Sequence, residues 1–406
     1  MKRRLLQASG LEKIGPQRMI RWGRPVLTPS ARFGRVIPVC EPTLAGNERR
    51  YVDECLETNW ISSKGRFIQR FEQEFAAACD VSHGISCTSG TSALHLLLHA
   101  MGIGAGDEVI VPTFSIIATA NVVRLTGATP VFVDSEPRTF GIDPAQVAAL
   151  LTPRTKALMA VHLYGHPCDM DALRVIADAH GLWLIEDAAQ AFGAISRGRR
   201  AGGLGHAGAF SLYANKLITT GEGGMIVTED ADLATLLRSL RDQAFSEETH
   251  FWHHHLGFNY RMTNLQAAIG LAQVEQAETL VHAREEHAGR YDAGLRDLRG
   301  IRLPPRTPDV RNVFWMYAIL VEDGFCMDRD ALMSALAARG IETKTFFIPL
   351  HLQPIYFDAA APNSFPVAEE IARRGLYLPS SSGLRDDEID YIIESILEIA
   401  TGAPGE

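Results

Sequence analysis

Glu108-Val-Ile-Val111-Pro112, Pro130-Val-Phe-Val133-Asp134, Ala157-Leu-Met-Ala-Val161 and Leu182-Trp-Leu-Ile185 are four short apolar runs in one stretch of chain. Each is bounded by turn-forming or polar residues and is too short for a helix of ordinary length, so the four read as buried strands of a parallel sheet. Working outward, helical spacing fills the gaps: Ile116 to Thr126, Pro144 to Leu151 and Met170 to His180, with Thr91 to Met101 just upstream. Strands alternating with helices predict an α/β fold, a mostly parallel sheet covered by helices on both faces.

Beyond Gly221 the pattern changes. Gly224-Met-Ile-Val-Thr228 reads as a hairpin strand, followed by long helices over Leu233 to Arg241 and Thr263 to Leu298. An apolar strand over Phe314 to Val321, a helix over Arg329 to Arg339 and a last helix over Asp386 to Ile399 suggest a second, smaller α+β domain. The expected organisation is a basic extension over residues 1–35, a large domain over 36–285 and a small one over 286–406. Two domains are also what 406 residues lead one to expect.

Composition removes several classes of function. With 46% hydrophobic and 21% charged residues the chain is an ordinary globular one rather than a disordered one. A net charge of −9 argues against nucleic acid as the main partner, since phosphate neutralisation needs clustered positive charge. No apolar run reaches bilayer-spanning length, so no membrane partner is expected. The six cysteines, Cys40, Cys55, Cys79, Cys87, Cys168 and Cys326, contain no C-x-x-C pair, which fits reduced thiols in a cytoplasmic protein. The start differs from the rest: Lys2, Arg3, Arg4, Lys13, Arg18, Arg21, Arg24, Arg32 and Arg35 face only Glu12. A transit peptide, a basic arm for a nucleic acid or membrane surface, and a plain extension stay open as readings.

The chemistry concentrates in Ser211-Leu-Tyr-Ala-Asn-Lys216-Leu-Ile-Thr-Thr-Gly221-Glu-Gly-Gly224, downstream of the strand that ends in Glu186-Asp187. A lysine on a turn before a Gly-rich hairpin, with a carboxylate at the end of a buried strand, has the parts to carry pyridoxal phosphate. The Lys216 amine would form the Schiff base and then act as general base and acid, and Asp187 would keep the pyridinium nitrogen protonated. A phosphate site is supplied separately. Ser86-Cys-Thr-Ser-Gly90-Thr91 opens a helix, so the N–H groups near Gly90 and Thr91 offer donors and the positive end of a helix dipole, with the Ser211 hydroxyl added from another strand.

With these residues in place, the chain resembles the DegT/DnrJ/EryC1/StrS sugar aminotransferases, which share the aspartate aminotransferase fold (fold type I of the pyridoxal-phosphate enzymes). The resemblance runs from about Ile37 to Ile399. It is carried by Ser89-Gly-Thr-Ser-Ala-Leu94, Gly106-Asp-Glu-Val-Ile-Val-Pro112, Val161-His-Leu-Tyr-Gly165, Glu186-Asp-Ala-Ala-Gln-Ala-Phe-Gly193, the Lys216 segment and Gly257-Phe-Asn-Tyr-Arg-Met-Thr263. Within this group Glu41 to Asn47, Trp60-Ile-Ser-Ser-Lys-Gly65, Gly165-His-Pro-Cys-Asp-Met170 and Asn215 to Met225 look most like GDP-perosamine synthases. Those enzymes aminate GDP-4-keto-6-deoxy-D-mannose with nitrogen from L-glutamate.

The resemblance implies further roles. Asn259 matches an asparagine that reaches across a homodimer interface to the cofactor phosphate of the other subunit. Gln190 and His162 match positions beside the cofactor, His162 being open to a second reading as a satisfied core histidine. Trp60, Ser62, Lys64, His351 and Lys344 match positions near the nucleotide sugar. Two departures stand out. Ile116 takes the place of the usual aromatic ring over the cofactor, and Lys344 replaces an arginine, losing a bidentate fork. Other keto sugars, dTDP- or UDP-linked and aminated at C3 or C4, remain alternatives, as does a non-catalytic binding or regulatory protein that keeps the fold; sugar 3-dehydratases carry histidine in place of Lys216. The cluster His250, His253, His254 and His255 lacks metal-ligand spacing, so no metal is expected. Gly221-Glu-Gly-Gly224 lacks the dinucleotide fingerprint.

Overall fold

The computed structural model describes residues 26–246, 248–249, 251–357 and 364–402. In chain order the elements are α1 (Glu48–Glu57), α2 (Arg66–Ala78), β1 (His83–Cys87), α3 (Gly90–Ala100), β2 (Glu108–Pro112), α4 (Ile117–Leu125), β3 (Thr129–Val133), α5 (Pro144–Leu150), β4 (Thr155–Val161), α6 (Met170–His180) and β5 (Trp183–Asp187). Short strands β6 (Ile195–Ser196) and β7 (Arg199–Arg200) precede β8 (Ala207–Ser211), β9 (Gly224–Thr228), α7 (Ala231–Arg241), α8 (Asn264–Glu275) and α9 (Ala277–Leu295). The remainder is β10 (Ile301–Arg302), β11 (Val310–Arg311), β12 (Tyr317–Val321), α10 (Arg329–Ala338), β13 (Lys344–Thr345), α11 (Pro366–Arg374), β14 (Gly375–Leu378) and α12 (Asp386–Thr401).

The four apolar runs form β2 to β5, as their composition demands. Among the described residues they belong to a seven-stranded sheet of order β1-β9-β8-β5-β4-β2-β3. Parallel pairing joins β3, β2, β4, β5 and β8, whereas β9 runs antiparallel to both β8 and β1. Two apolar layers sandwich the sheet. Phe71, Phe75, Phe192, Phe210 and Leu271 pack on one side; Leu96, Leu97, Val109, Val123, Ile185 and Leu237 pack on the other. Helix starts follow side-chain capping: Asp169 before α6, Asp230 before α7 and Asp328 before α10 each accept a backbone N–H of the first turn.

A four-stranded antiparallel sheet, β10-β12-β14-β13, carries the second core, in which Tyr291, Ile319, Leu332, Leu336, Ile392 and Ile396 are buried. Residues 26–37 dock here. Thr28 N–H donates to Ala337 O at 3.2 Å, Arg32 pairs with Glu394 at 3.0 Å, Arg35 pairs with the buried Glu388, and Ile37 bridges Ile341. Most of the basic start, residues 1–25, lies outside the described residues. The single helix expected over Thr263 to Leu298 is two, because Gln276 (φ −104, ψ 3) ends α8 and begins α9. The strand expected from Phe314 begins at Tyr317, since Phe314 is in a turn at φ 45 with its N–H given to Asn312 Oδ1 at 2.9 Å.

Candidate active site

In an open parallel sheet the carboxyl ends of the strands share one edge, where ligands of such folds are bound. Here β5 ends in Asp187, β8 ends in Ser211, and Thr113 follows β2. The β8–β9 hairpin holds Lys216: Leu212 N–H donates to Gly223 O at 2.9 Å, Thr220 N–H to Leu212 O at 3.0 Å, and Lys216 N–H closes a turn onto Tyr213 O at 2.8 Å. Gln190, Ser211 and Lys216 line one small cavity with Phe75 and Phe192. Sequence positions far apart thus converge.

Asp187 is 2% exposed. Its Oδ2 accepts Thr119 Oγ1–H at 2.9 Å, and Oδ1 accepts Ala189 N–H at 3.3 Å. Ser115 lies 2.8 Å behind Thr119. Burial raises the Asp187 pKa, opposed by those two bonds and by Lys216. Burial also lowers the Lys216 amine to about 7, partly offset by Asp187. Burial thus brings the Lys216 amine into the range where it can both take up and release a proton near neutral pH, with the Asp187 carboxyl fixed beside it.

The anion cradle is built from three strands. Gly224 lies opposite both Cys87 of β1 and Ser211 of β8, which brings the start of α3 beside Ser211. A Cβ on Gly224 would stand 2.2 Å from Ser89 O, and one on Gly90 2.9 Å from Ser211 Cβ, so only glycine permits this approach. Ser89 caps α3 through a reciprocal box with Ser92, whose N–H donates to Ser89 Oγ at 3.0 Å. That leaves the N–H groups of Gly90 and Thr91, in the first helical turn, free for an outside acceptor.

Other candidates are placed differently. His162 is fully buried, with Nε2 2.9 Å from Glu186 Oε2 and Nδ1 accepting Cys168 N–H at 3.2 Å. With Cys168 N–H pointed at Nδ1, Nε2 is the nitrogen that donates to Glu186. This is the geometry of a satisfied core histidine. His351 joins Thr113 Oγ1 at 2.7 Å to Glu369 Oε1 at 3.2 Å, tying α11 to the end of β2. Gln190 Oε1 accepts Tyr164 N–H at 2.8 Å. Ile116 is the N-cap of α4 and 43% exposed.

Lys344 is on the short strand β13 facing Glu342 at 3.7 Å. Trp60 and Lys64 line a separate groove of about 930 Å³ with Arg66, Arg238 and Arg241, and this groove shares no residue with the Lys216 cavity. Ser62 O accepts Asn264 N–H at 2.7 Å. Asn259 is exposed, in a segment whose Phe251, Trp252 and Leu256 are also exposed. Of the histidine cluster, His250 lies outside the described residues and His253 Nδ1 meets Gln243 O at 2.9 Å.

Several members of the site carry no signal in sequence. Thr119 is one residue of an apolar helix, Trp315 reads as part of a strand, and Arg284 is one of many helical charges; only tertiary packing brings Thr119 to Asp187, Trp315 to Lys216 and Arg284 to the Trp315 carbonyl.

Comparison with known proteins completes the description. The family model described as the DegT/DnrJ/EryC1/StrS aminotransferase family matches residues 42–397. A protein of Caulobacter vibrioides named GDP-perosamine synthase is 50% identical over 364 residues, 89% of this chain and 98% of its own. One of the same name from Escherichia coli O157:H7 is 43% identical over 90% and 98%. The crystal structure of S. venezuelae DesV in complex with a ketimine intermediate superimposes with a TM-score of 0.82 at 41% identity, covering 87% of this chain and 94% of that one.

Proposed function

This chain belongs to the DegT/DnrJ/EryC1/StrS aminotransferase family, and from that premise we propose that it uses pyridoxal phosphate to aminate the 4-keto group of GDP-4-keto-6-deoxy-D-mannose with nitrogen from L-glutamate. The observation that carries the reading is the buried Asp187–Lys216 pair beside the Gly90–Ser211 cradle. The residues fit the cofactor: an amine of lowered pKa, a buried carboxylate with lone pairs to spare, and an anion cradle that any Cβ at position 90 would crowd.

When bound, pyridoxal phosphate supplies an electron sink for breaking a C–H bond next to nitrogen. The N–H groups of Gly90 and Thr91 and the Ser211 hydroxyl would hold its phosphate, and Asp187 would keep a proton on its ring nitrogen, Thr119 fixing the carboxylate's orientation. Lys216 would carry the cofactor through Nζ and, once released, take a proton from the amino-bearing carbon of glutamate and return one to the sugar's C4. A nitrogen of pKa about 7 suits both directions of that transfer. Ile116 would offer an aliphatic face where an aromatic is usual.

The active unit we propose is a homodimer. Asn259 is exposed and lines neither the Lys216 cavity nor the groove of Trp60 and Lys64, and that groove is itself apart from Lys216, so each would serve a partner's site. The exposed Phe251, Trp252 and Leu256 beside Asn259 give that interface an apolar component. Among the described residues no helix is long and apolar enough to cross a membrane.

The substrate is tested by offering GDP-, dTDP- and UDP-linked 4-keto-6-deoxy sugars with glutamate and reading products by mass spectrometry. Preference for the GDP sugar is expected. Preference for another nucleotide would move the substrate and leave the chemistry standing.

A further inference from the structure

Lys216 Nζ rests 3.6 Å from the centroid of the Trp315 indole, and Trp315 is held there from several directions. Its Nε1–H donates at 2.7 Å to the carbonyl of Asn215, the residue that precedes Lys216. Its own carbonyl accepts from Arg284, whose Nε also donates to Ser382 Oγ at 3.0 Å. Its ring stacks on Tyr164 with planes 12° apart. The Cys40 thiol donates to the same Asn215 carbonyl at 3.3 Å, and Arg284 touches that thiol at 3.7 Å. Residues from the N-terminal segment, α9 and the turn before β12 therefore fix one indole face against one amine, and the indole is only 4% exposed.

Resting on the reading of Lys216 given above, we propose that Trp315 is a positioning residue, its indole face being the station that receives the Lys216 amine whenever the amine is not joined to the cofactor. An amine that has let go must remain close to the carbon it deprotonates while its charge alternates. An aromatic face meets that need, because it attracts the ammonium without donating or accepting a proton. Carboxylates and water would compete for the proton itself. Tying the station to the Asn215 carbonyl makes the lysine's backbone and its resting place move as one body.

The test uses full-length protein freed of cofactor, so it needs no substrate. Lys216 is titrated by competitive acetylation, with peptide mass spectrometry giving the pH midpoint of its reactivity, in wild type, Trp315→Phe and Trp315→Leu. Removing the ring should lower the midpoint by about half a pH unit or more, the scale of a partly desolvated cation–π contact. The Phe variant, which keeps a face and loses the N–H, should stay nearer wild type than the Leu variant does. A midpoint in folded Trp315→Leu that is unchanged or raised overturns the proposal, as does a Phe variant shifted as far as Leu. A second measurement requires no change at Trp315: the tryptophan fluorescence of wild type minus that of Lys216→Met should show a pH step at the labelling midpoint. Absence of that step equally overturns the proposal. Failure of amine transfer by the wild-type enzyme would strike the aminotransferase reading instead, so the two are separable.

Discussion

At the scale of single residues, the account rests on two buried groups and a pair of close approaches. Lys216→Ala should abolish amine transfer. Asp187→Asn should lower turnover by about 100-fold or more, the range of a lost acid–base contribution, and should also raise the cofactor's dissociation constant in spectroscopic titration. Gly90→Ala should weaken cofactor binding and cost some stability, because its Cβ would stand 2.9 Å from Ser211 Cβ inside the cradle and force β8 and the start of α3 apart. The lysine also predicts a pH dependence. Its folded pKa, about 7, is below its unfolded value of about 10.4, so between those values the folded chain binds fewer protons than the unfolded one. Lys216 therefore destabilises the cofactor-free protein fully below pH about 7, and the penalty fades as pH rises toward about 10. Thermal unfolding should find cofactor-free Lys216→Met more stable than wild type at pH 6 and nearly equal to it at pH 10; a constant difference would contradict the assignment. Lys216, Asp187, Gly90 and Ser211 were legible in sequence as candidates because their chemistry is local to a turn, a strand end or a helix start. Thr119 and Trp315 were not, because a threonine in a helix and a tryptophan in an apolar run reveal nothing about what faces them.

At the scale of elements, Glu186 does for the sheet what Asp187 does for the chemistry. Its carboxylate is fully buried and accepts from Gly202 N–H at 2.7 Å, Leu204 N–H at 2.8 Å, Gly205 N–H at 2.6 Å and His162 Nε2 at 2.9 Å. It thus fastens the loop before β8 to the end of β5, which sets Ser211 and Asp187 in register. In Glu186→Gln an amide NH₂ must face one of these donors, so a loss of about 2–4 kcal/mol is expected in urea unfolding, hydrogen bonds to charged groups being worth about 1.5–3 kcal/mol each. The parallel strands were readable because burial on both faces leaves apolar runs. Helices α1 and α2 carry a weaker signal, because polar faces dilute their apolar stripes. The break at Gln276 left no Gly or Pro signal.

At the scale of the whole molecule, the homodimer proposed above would divide each site between two chains. Mixed refolding of Lys216→Ala with Asn259→Ala subunits should restore activity that neither has alone, to about a quarter of wild type, since half the dimers are mixed and each rebuilds one intact site. No recovery would place Asn259 in its own subunit's site, and an Asn259→Ala homodimer as active as wild type would remove it from the site.

The most direct measurement follows the nitrogen. Protein loaded with pyridoxal phosphate is incubated with ¹⁵N-labelled L-glutamate and GDP-4-keto-6-deoxy-D-mannose, and the nucleotide sugar is weighed by mass spectrometry beside a Lys216→Ala control. The account predicts a GDP-linked 4-amino sugar carrying ¹⁵N, formed by the wild type and absent from the variant. A labelled product made equally by the variant, or glutamate left intact by the wild type with every keto sugar offered, would contradict it.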